Sequence, residues 1–360
     1  MSKPHHVLII AEAGVNHNGS LDRALEMVDV AADAGADIVK FQTFNSSALA
    51  TKAAPKAAYQ KVTTDVGQSQ LDMLKALELD EAAHVALIKH CAEKKIGFLS
   101  TPFDLSSLDL LVNRLKVPSL KIGSGELTNA PLLFAAARSG LDIILSTGMA
   151  TLDETEKALG VLAAGYLGVA EPCIESFSAA FQSDTGQATL KSHVTLLHCT
   201  SAYPTPDEDV NLRAMHALSH RFGLPVGFSD HSVGTVLSVA SVAAGASVIE
   251  KHFTLDRVLP GPDHKASLEP QELSALVVGV RRVSAAMGDG VKAPRGIEKA
   301  TADVARKSLV AAQAIAAGEI FTEENLTVKR PGTGLDPALY WSLLGTHAAR
   351  AYAPDDLIHQ

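Results

Sequence analysis

Short apolar runs with strand-like alternation recur through the first 287 residues, separated by amphipathic stretches whose apolar positions fall three and four apart. Eight such runs occur, at 7–12 (VLIIAE), 37–43 (DIVKFQT), 96–101 (IGFLST), 119–123 (SLKIG), 142–147 (DIILST), 194–200 (VTLLHCT), 225–229 (PVGFS) and 247–253 (SVIEKHF). The helical stretches include 20–35, 106–115, 152–164, 235–245 and 270–288. Strands alternating with helices imply a parallel sheet, and eight units close a (β/α)8 TIM barrel over residues 1–288. The rival arrangement, a doubly wound open sheet, lacks its GxGxxG turn after the first run. Residues 289–300 break the pattern with Gly, Pro and charge and read as a linker. Residues 301–360 hold only short β-prone runs, SLVAAQ, LTVKR and RAYA, and predict a small C-terminal module with little core of its own. The long connections at 44–70 and 165–193 are expected to be surface loops or short extra helices.

Composition narrows the function classes. The 360 residues are 47% hydrophobic and 20% charged, with a formal net charge of -9. No dense Lys/Arg stripe offsets that acidity, which argues against a nucleic-acid binder and for small-molecule chemistry. Cys91, Cys173 and Cys199 show no CxxC spacing, so neither a disulfide framework nor a zinc ribbon is predicted. No apolar stretch nears twenty residues, and the start has no cleavage signature; a cytoplasmic protein without membrane contact is expected.

Polar residues cluster where each predicted strand stops, the face on which barrel enzymes place their sites. Run one ends in Glu12; run two carries Lys40 and Gln42, which alternation puts on one face, away from Phe41. Run three ends at Thr101, run four holds Lys121 before GSGE (Ser124, Glu126), and run five ends at Ser146. Run seven leads through Ser229 and Asp230 to His231, and run eight to His252. Two imidazoles at adjacent strand ends suit a borderline divalent metal with open positions, although an isolated pair of this kind is more often ordinary core. Lys40 and Lys121 in apolar strands need an anion, either a structural partner in Glu12 or Glu126 or a bound phosphate or carboxylate. The hydroxyls and Gly-rich turns nearby add donors for the second option, while any one of those turns alone is only a turn. Glu12 is the best candidate for a general base. Asp263, on the stiff LPGPDH loop, suits a substrate hydroxyl or is merely a turn residue, and Tyr203 taken alone reads as packing.

Nine ordered segments then resemble the sialic acid synthase family: IIAEAGVNHNGS, VKFQTF, FLSTPFD, KIGSGE, ILSTGMAT, LLHCTSAYPTPDEDVNLRAM, GFSDHSVG, EKHFTLDRVLPGPDHKASL and VKRPGTG. The resemblance implies a TIM barrel joined to an antifreeze-like (SAF) domain. It implies His231 and His252 as ligands of a divalent metal, manganese first, with magnesium or cobalt as alternatives, and Glu12 as the catalytic base. By the same resemblance Lys40, Thr101, Lys121, Ser124, Ser146 and Ser229 match positions that hold phosphoenolpyruvate. Gln42, Glu126, Tyr203 and Asp263 match positions around an acylated amino sugar, and Arg330 matches an Arg supplied from the partner subunit of a domain-swapped homodimer. The implied reaction is condensation of phosphoenolpyruvate with an N-acylmannosamine, with N-acetylmannosamine the first expectation and therefore N-acetylneuraminate the product. Ser201 stands where some sialate-forming members carry Asn, and residues 50–79 resemble the legionaminate branch, whose substrate is 2,4-diacetamido-2,4,6-trideoxymannose; the pseudaminate precursor comes third. A metal-dependent barrel aldolase or hydrolase, or a carbohydrate-binding module on a degenerate barrel, are the readings from other classes.

Overall fold

A computed structural model describes residues 6–49, 51 and 69–359. Part of the 50–79 segment just compared, residues 52–68, lies outside the described residues. The chain divides into two compact units, residues 1–288 and 289–360. The first is a (β/α)8 barrel with strands β1 (Leu8–Gly14), β2 (Ile38–Thr43), β3 (Gly97–Pro102), β4 (Ser119–Ile122), β5 (Asp142–Ser146), β6 (Val194–His198), β7 (Val226–Asp230) and β8 (Val248–His252). Hydrogen bonding runs β3-β2-β1-β8-β7-β6-β5-β4, every hydrogen-bonded pair parallel, and β3 lies against β4 at the closing seam.

Local chemistry sets where the helices begin and which face they bury. In Leu21–Asp33 the Ser20 hydroxyl caps the start by accepting from the Arg23 N–H, and Ala24, Met27, Val28 and Ala31 form the buried stripe. The chain leaves that helix through Gly35 at φ +81°, a conformation glycine adopts without strain. Outward-facing strand residues such as Ile9, Ala11, Val39 and Phe41 meet these helices in the main core. A separate cluster fills the lumen: Ile10, Leu99, Ile144, Leu197 and Val248. Gly227 of β7 completes that plug, because a Cβ there would stand 2.4 Å from the Val248 carbonyl oxygen and 2.6 Å from the Leu197 side chain. The segment 165–193 carries two extra helices, Ile174–Gln182 and Asp184–His193, and the segment after β2 holds the short helix Ser46–Leu49.

The second unit departs from expectation in two ways. Its residues taken as linker are irregular only at first, because the helix Gly296–Ala305 starts inside them, with the Arg295 N–H donating to the Glu298 carboxylate at 2.7 Å. It also has a core of its own, with Leu309, Ile315, Phe321, Leu326, Tyr352 and Ile358 buried around the antiparallel pair β9 (Ser308–Ala311) and β10 (Leu326–Lys329). Those apolar residues arrive one at a time between turns, so no period in the sequence announces them. No helix among the described residues is long and apolar enough to cross a membrane.

Candidate active site

At the C-terminal ends of the strands lies a cavity of about 230 Å³. The strand register brings its charged groups together: β1 runs between β2 and β8, so Glu12 pairs laterally with Lys40 on one side and His252 on the other. Beyond Glu12 the β1 register slips by one residue, and Gly14, at φ +54°, sits where a Cβ would lie 3.3 Å from both Glu12 Oε1 and His252 Cε1. The bare glycine thus keeps space open between the carboxyl and the imidazole.

Two ammonium groups and two carboxyl groups interleave on the cavity floor. Lys40 Nζ stands 2.6 Å from Glu12 Oε2 and 3.7 Å from Glu250 Oε2, and donates to Thr101 Oγ1 at 3.3 Å. Lys121 Nζ donates to Ser146 Oγ at 2.6 Å and to the Ile122 carbonyl at 3.0 Å, with Glu250 Oε1 at 3.8 Å. Glu250 Oε1 also accepts from the Ser229 hydroxyl at 2.8 Å. All four charged side chains are buried. Burial pushes the Glu12 carboxyl up to about 7 against the pull of Lys40, with Glu250 adding to the rise. Burial also raises Glu250, but Lys121 and Lys40 more than reverse it and hold that carboxylate well below its ordinary value. The outcome is a floor with one carboxylate fixed in its charged form by two ammonium groups, and a second carboxyl poised to exchange a proton near neutrality.

His231 and His252 form one wall, ring centroids 5.7 Å apart, with the Tyr203 ring 4.1 Å from the first and 5.8 Å from the second. The His231 Nδ1–H donates to the Thr200 carbonyl at 2.7 Å, which leaves Nε2 as the unprotonated ring nitrogen, with the Ser229 hydroxyl 3.5 Å away. His252 Nδ1 is buried with no hydrogen-bond partner. Burial lowers the pKa of both rings, that of His252 strongly, so both are neutral at pH 7. Neutral imidazoles, a carbonyl fixing one tautomer and an unpartnered ring nitrogen are the donor set a borderline divalent ion takes. Among the described residues no third His, Cys, Asp or Glu joins them in a metal-holding group.

Ser124 adds a further donor edge: its hydroxyl accepts from the Gly148 N–H at 2.9 Å and lies 3.1 Å from Cys199 Sγ. Gln42 and Tyr203 also border the cavity, whereas Glu126 and Asp263 do not. Glu126 turns aside to accept from Asn129 Nδ2 at 2.6 Å. Asp263 is buried in the loop after β8, where burial pushes its carboxyl up to about 6. Arg330 is exposed in the second unit, its Nε donating to the Ala305 carbonyl at 3.1 Å. Asp230, taken as another strand-end acid, faces the helix layer and pairs with Lys251 at 3.0 Å. Lys121 forms its ion pair with neither Glu12 nor Glu126; its carboxylate is Glu250, the one central group absent from the sequence candidates above. Alternation in IEKH contained the signal, since Glu250 and His252 must share a face that Lys251 does not.

Comparisons with known proteins agree with the fold. The profile described as NeuB family matches residues 27–292, and that described as SAF domain matches 306–359. The N,N'-diacetyllegionaminic acid synthase of Campylobacter jejuni is 49% identical over 98% of this chain and 99% of that protein. The synthase of the same name from Legionella pneumophila is 42% identical over 94% of this chain and 89% of its own length. Among solved structures, an N-acetylneuraminic acid synthetase from Leptospira borgpetersenii, in complex with citrate, superposes with a TM-score of 0.66 at 36% identity, covering 82% of this chain and 90% of that one.

Proposed function

This chain belongs to the NeuB family of nonulosonic acid synthases, which use phosphoenolpyruvate and an acylated hexosamine, and from that premise we propose that it makes N,N'-diacetyllegionaminate from phosphoenolpyruvate and the 6-deoxy diacetamido mannose. The identity to the Campylobacter synthase over nearly the whole of both chains carries the choice of sugar. N-acetylmannosamine is the second reading, favoured by the likeness to the Leptospira N-acetylneuraminic acid synthetase.

The floor chemistry supports phosphoenolpyruvate as the substrate common to both readings. Lys40 and Lys121 would hold the phosphate and carboxylate of phosphoenolpyruvate, with hydroxyls from Thr101, Ser124, Ser146 and Ser229 around them. In a cavity this buried such fixed charges act strongly and need no reorganisation. Glu250 orients both lysines in the absence of substrate and opposes the lowering that burial imposes on Lys121. A divalent ion on His231 and His252, manganese first, would supply Lewis acidity toward the sugar aldehyde. In the reaction, C3 of phosphoenolpyruvate bonds to the aldehyde carbon and the aldehyde oxygen becomes a hydroxyl on protonation. A water oxygen bonds to C2 and gives its proton to Glu12, whose pKa near 7 suits that exchange. The bond from C2 to the phosphate oxygen then breaks as the new C2 hydroxyl gives up its proton and becomes the ketone carbonyl; inorganic phosphate leaves with that proton, and the proton taken by Glu12 completes the hydroxyl at the former aldehyde oxygen. Gln42 and Tyr203 contact the amino sugar, and Arg330 reaches it from the partner subunit of a homodimer.

The test is phosphate release from phosphoenolpyruvate with manganese, comparing the two sugars and recording the product's mass. The expected result is a kcat/KM at least about ten-fold higher for the 6-deoxy diacetamido sugar. A preference for N-acetylmannosamine would move the chain to the sialate reading, and turnover of neither would remove both.

A further inference from the structure

Behind the imidazole wall, on the outer face of β7 and β8, Asp230 and Lys251 form an ion pair at 3.0 Å that is almost wholly buried. Each residue is the immediate chain neighbour of one of the two histidines. The strand register pairs Ser229 with Glu250 and Asp230 with Lys251, so the next positions along the two strands are His231 and His252. Side chains alternate across the sheet, and the ion pair faces the helices while the imidazoles face the lumen.

The pair is fully used. Asp230 Oδ1 accepts from the Ser232 N–H at 2.8 Å and the Ser232 hydroxyl at 2.6 Å, closing a tight turn around His231. Asp230 Oδ2 accepts from Ser238 at the start of the helix Val236–Ala243. Lys251 Nζ donates to the Ser232 carbonyl at 2.5 Å, so the residue after His231 is tied from both its N–H and its C=O. An apolar pair of similar volume would serve stability at least as well as a buried ion pair. What it would not do is oppose a slip of β7 against β8, since any slip parts Asp230 from Lys251 and leaves two buried charges unpaired.

The geometry points to Asp230 and Lys251 as positioning residues for the metal site: they hold the separation and aim of His231 and His252 from outside the barrel. This rests on the reading of those histidines as metal ligands, and it concerns metal affinity, not the reaction. Metal ligands held by a satisfied outer shell lose about ten- to hundred-fold in affinity when that shell is broken.

Manganese binding is measured by the loss of the free-ion EPR signal for the wild-type chain, Lys251→Met and Ser238→Ala, alongside the melting temperature of each metal-free protein and the KM for phosphoenolpyruvate at saturating manganese. Lys251→Met leaves Asp230 three donors and is expected to weaken manganese binding by about ten-fold or more, with the phosphoenolpyruvate KM changed less than about two-fold. Ser238→Ala, which strands no charge, is expected to weaken it by about two- to five-fold and decides the matter if Lys251→Met does not fold. Lower melting temperatures with unchanged manganese affinity would make the pair purely structural and overturn the inference while leaving the metal reading intact. A wild-type chain that binds no manganese would overturn both.

Discussion

The lower lumen of the barrel and its mouth are built from the same strands, on the same inward faces, two residues apart. Ile10 leads to Glu12, Leu99 to Thr101, Ile144 to Ser146, and Val248 to Glu250; in β7, Gly227 leads to Ser229. One step of the pleat exchanges an apolar plug for charge and hydroxyl. The plug residues are buried without polar atoms and each contributes roughly 2 kcal/mol of burial. The mouth residues are equally buried, yet carry ammonium, carboxyl and imidazole groups that cost free energy to desolvate. The backbone therefore does not separate stability from chemistry; the choice of side chain at alternate positions does.

The sharpest way to break that contrast is to neutralise the mouth. Glu250→Gln keeps the shape but removes the charge shared by Lys40 and Lys121, and kcat/KM is expected to fall about thousand-fold, roughly 4 kcal/mol of transition-state stabilisation, in a phosphate-release assay. An effect below about ten-fold would put Glu250 outside the machinery. One pleat lower the pattern should invert. Leu99→Ala removes a wholly buried plug residue and is expected to cost about 3 kcal/mol of unfolding free energy, read by denaturant titration, with kcat/KM per folded molecule changed only a few-fold.

Glu12 tests whether mouth residues oppose stability. Its folded-state pKa, about 7, exceeds the ordinary carboxyl value of 4.5, so between those pH values the folded chain binds more protons than the unfolded one. Its contribution is therefore fully present below about pH 4.5 and is lost as pH rises through 7, by at most roughly 3 kcal/mol. Glu12→Gln is neutral at every pH, so the metal-free variant should melt above the wild type at pH 8 and the difference should close toward pH 5. A gap independent of pH would mean that Glu12 is not titrating there.

How much of this was legible in the sequence follows the same division. All eight strands announced themselves, because half-buried alternation and Gly- or Pro-marked ends are local features. Most of the mouth was legible for that reason too: Lys40 and Gln42 separate from Phe41 by alternation alone. Glu250 and Lys251 were not sorted, since adjacent opposite charges read as one polar patch until each is assigned a face. Which carboxyl a buried lysine chooses is set by register between strands distant in sequence, and so Lys121 was matched to the wrong acids. The core of the second unit was invisible because its apolar residues converge from separate turns instead of repeating along one element.

The amino-sugar side asks whether the mouth is complete within one chain. Among the described residues Glu126 and Asp263 do not border the cavity, whose polar groups beyond the floor and the histidines are Gln42, Ser124, Cys199, Ser201 and Tyr203. The proposed acylated sugar carries several hydroxyl and amide groups, and the second unit carries Arg330 exposed. Arg330→Ala is expected to raise the sugar KM about ten-fold while leaving manganese affinity unchanged; an unchanged KM would sink the assignment. If the guanidinium serves a partner's barrel, mixing Arg330→Ala with Glu250→Gln chains should restore a population with wild-type sugar KM, because an intact barrel then meets an intact arginine. If it serves its own barrel, every intact barrel in the mixture still lacks its arginine and the raised KM persists.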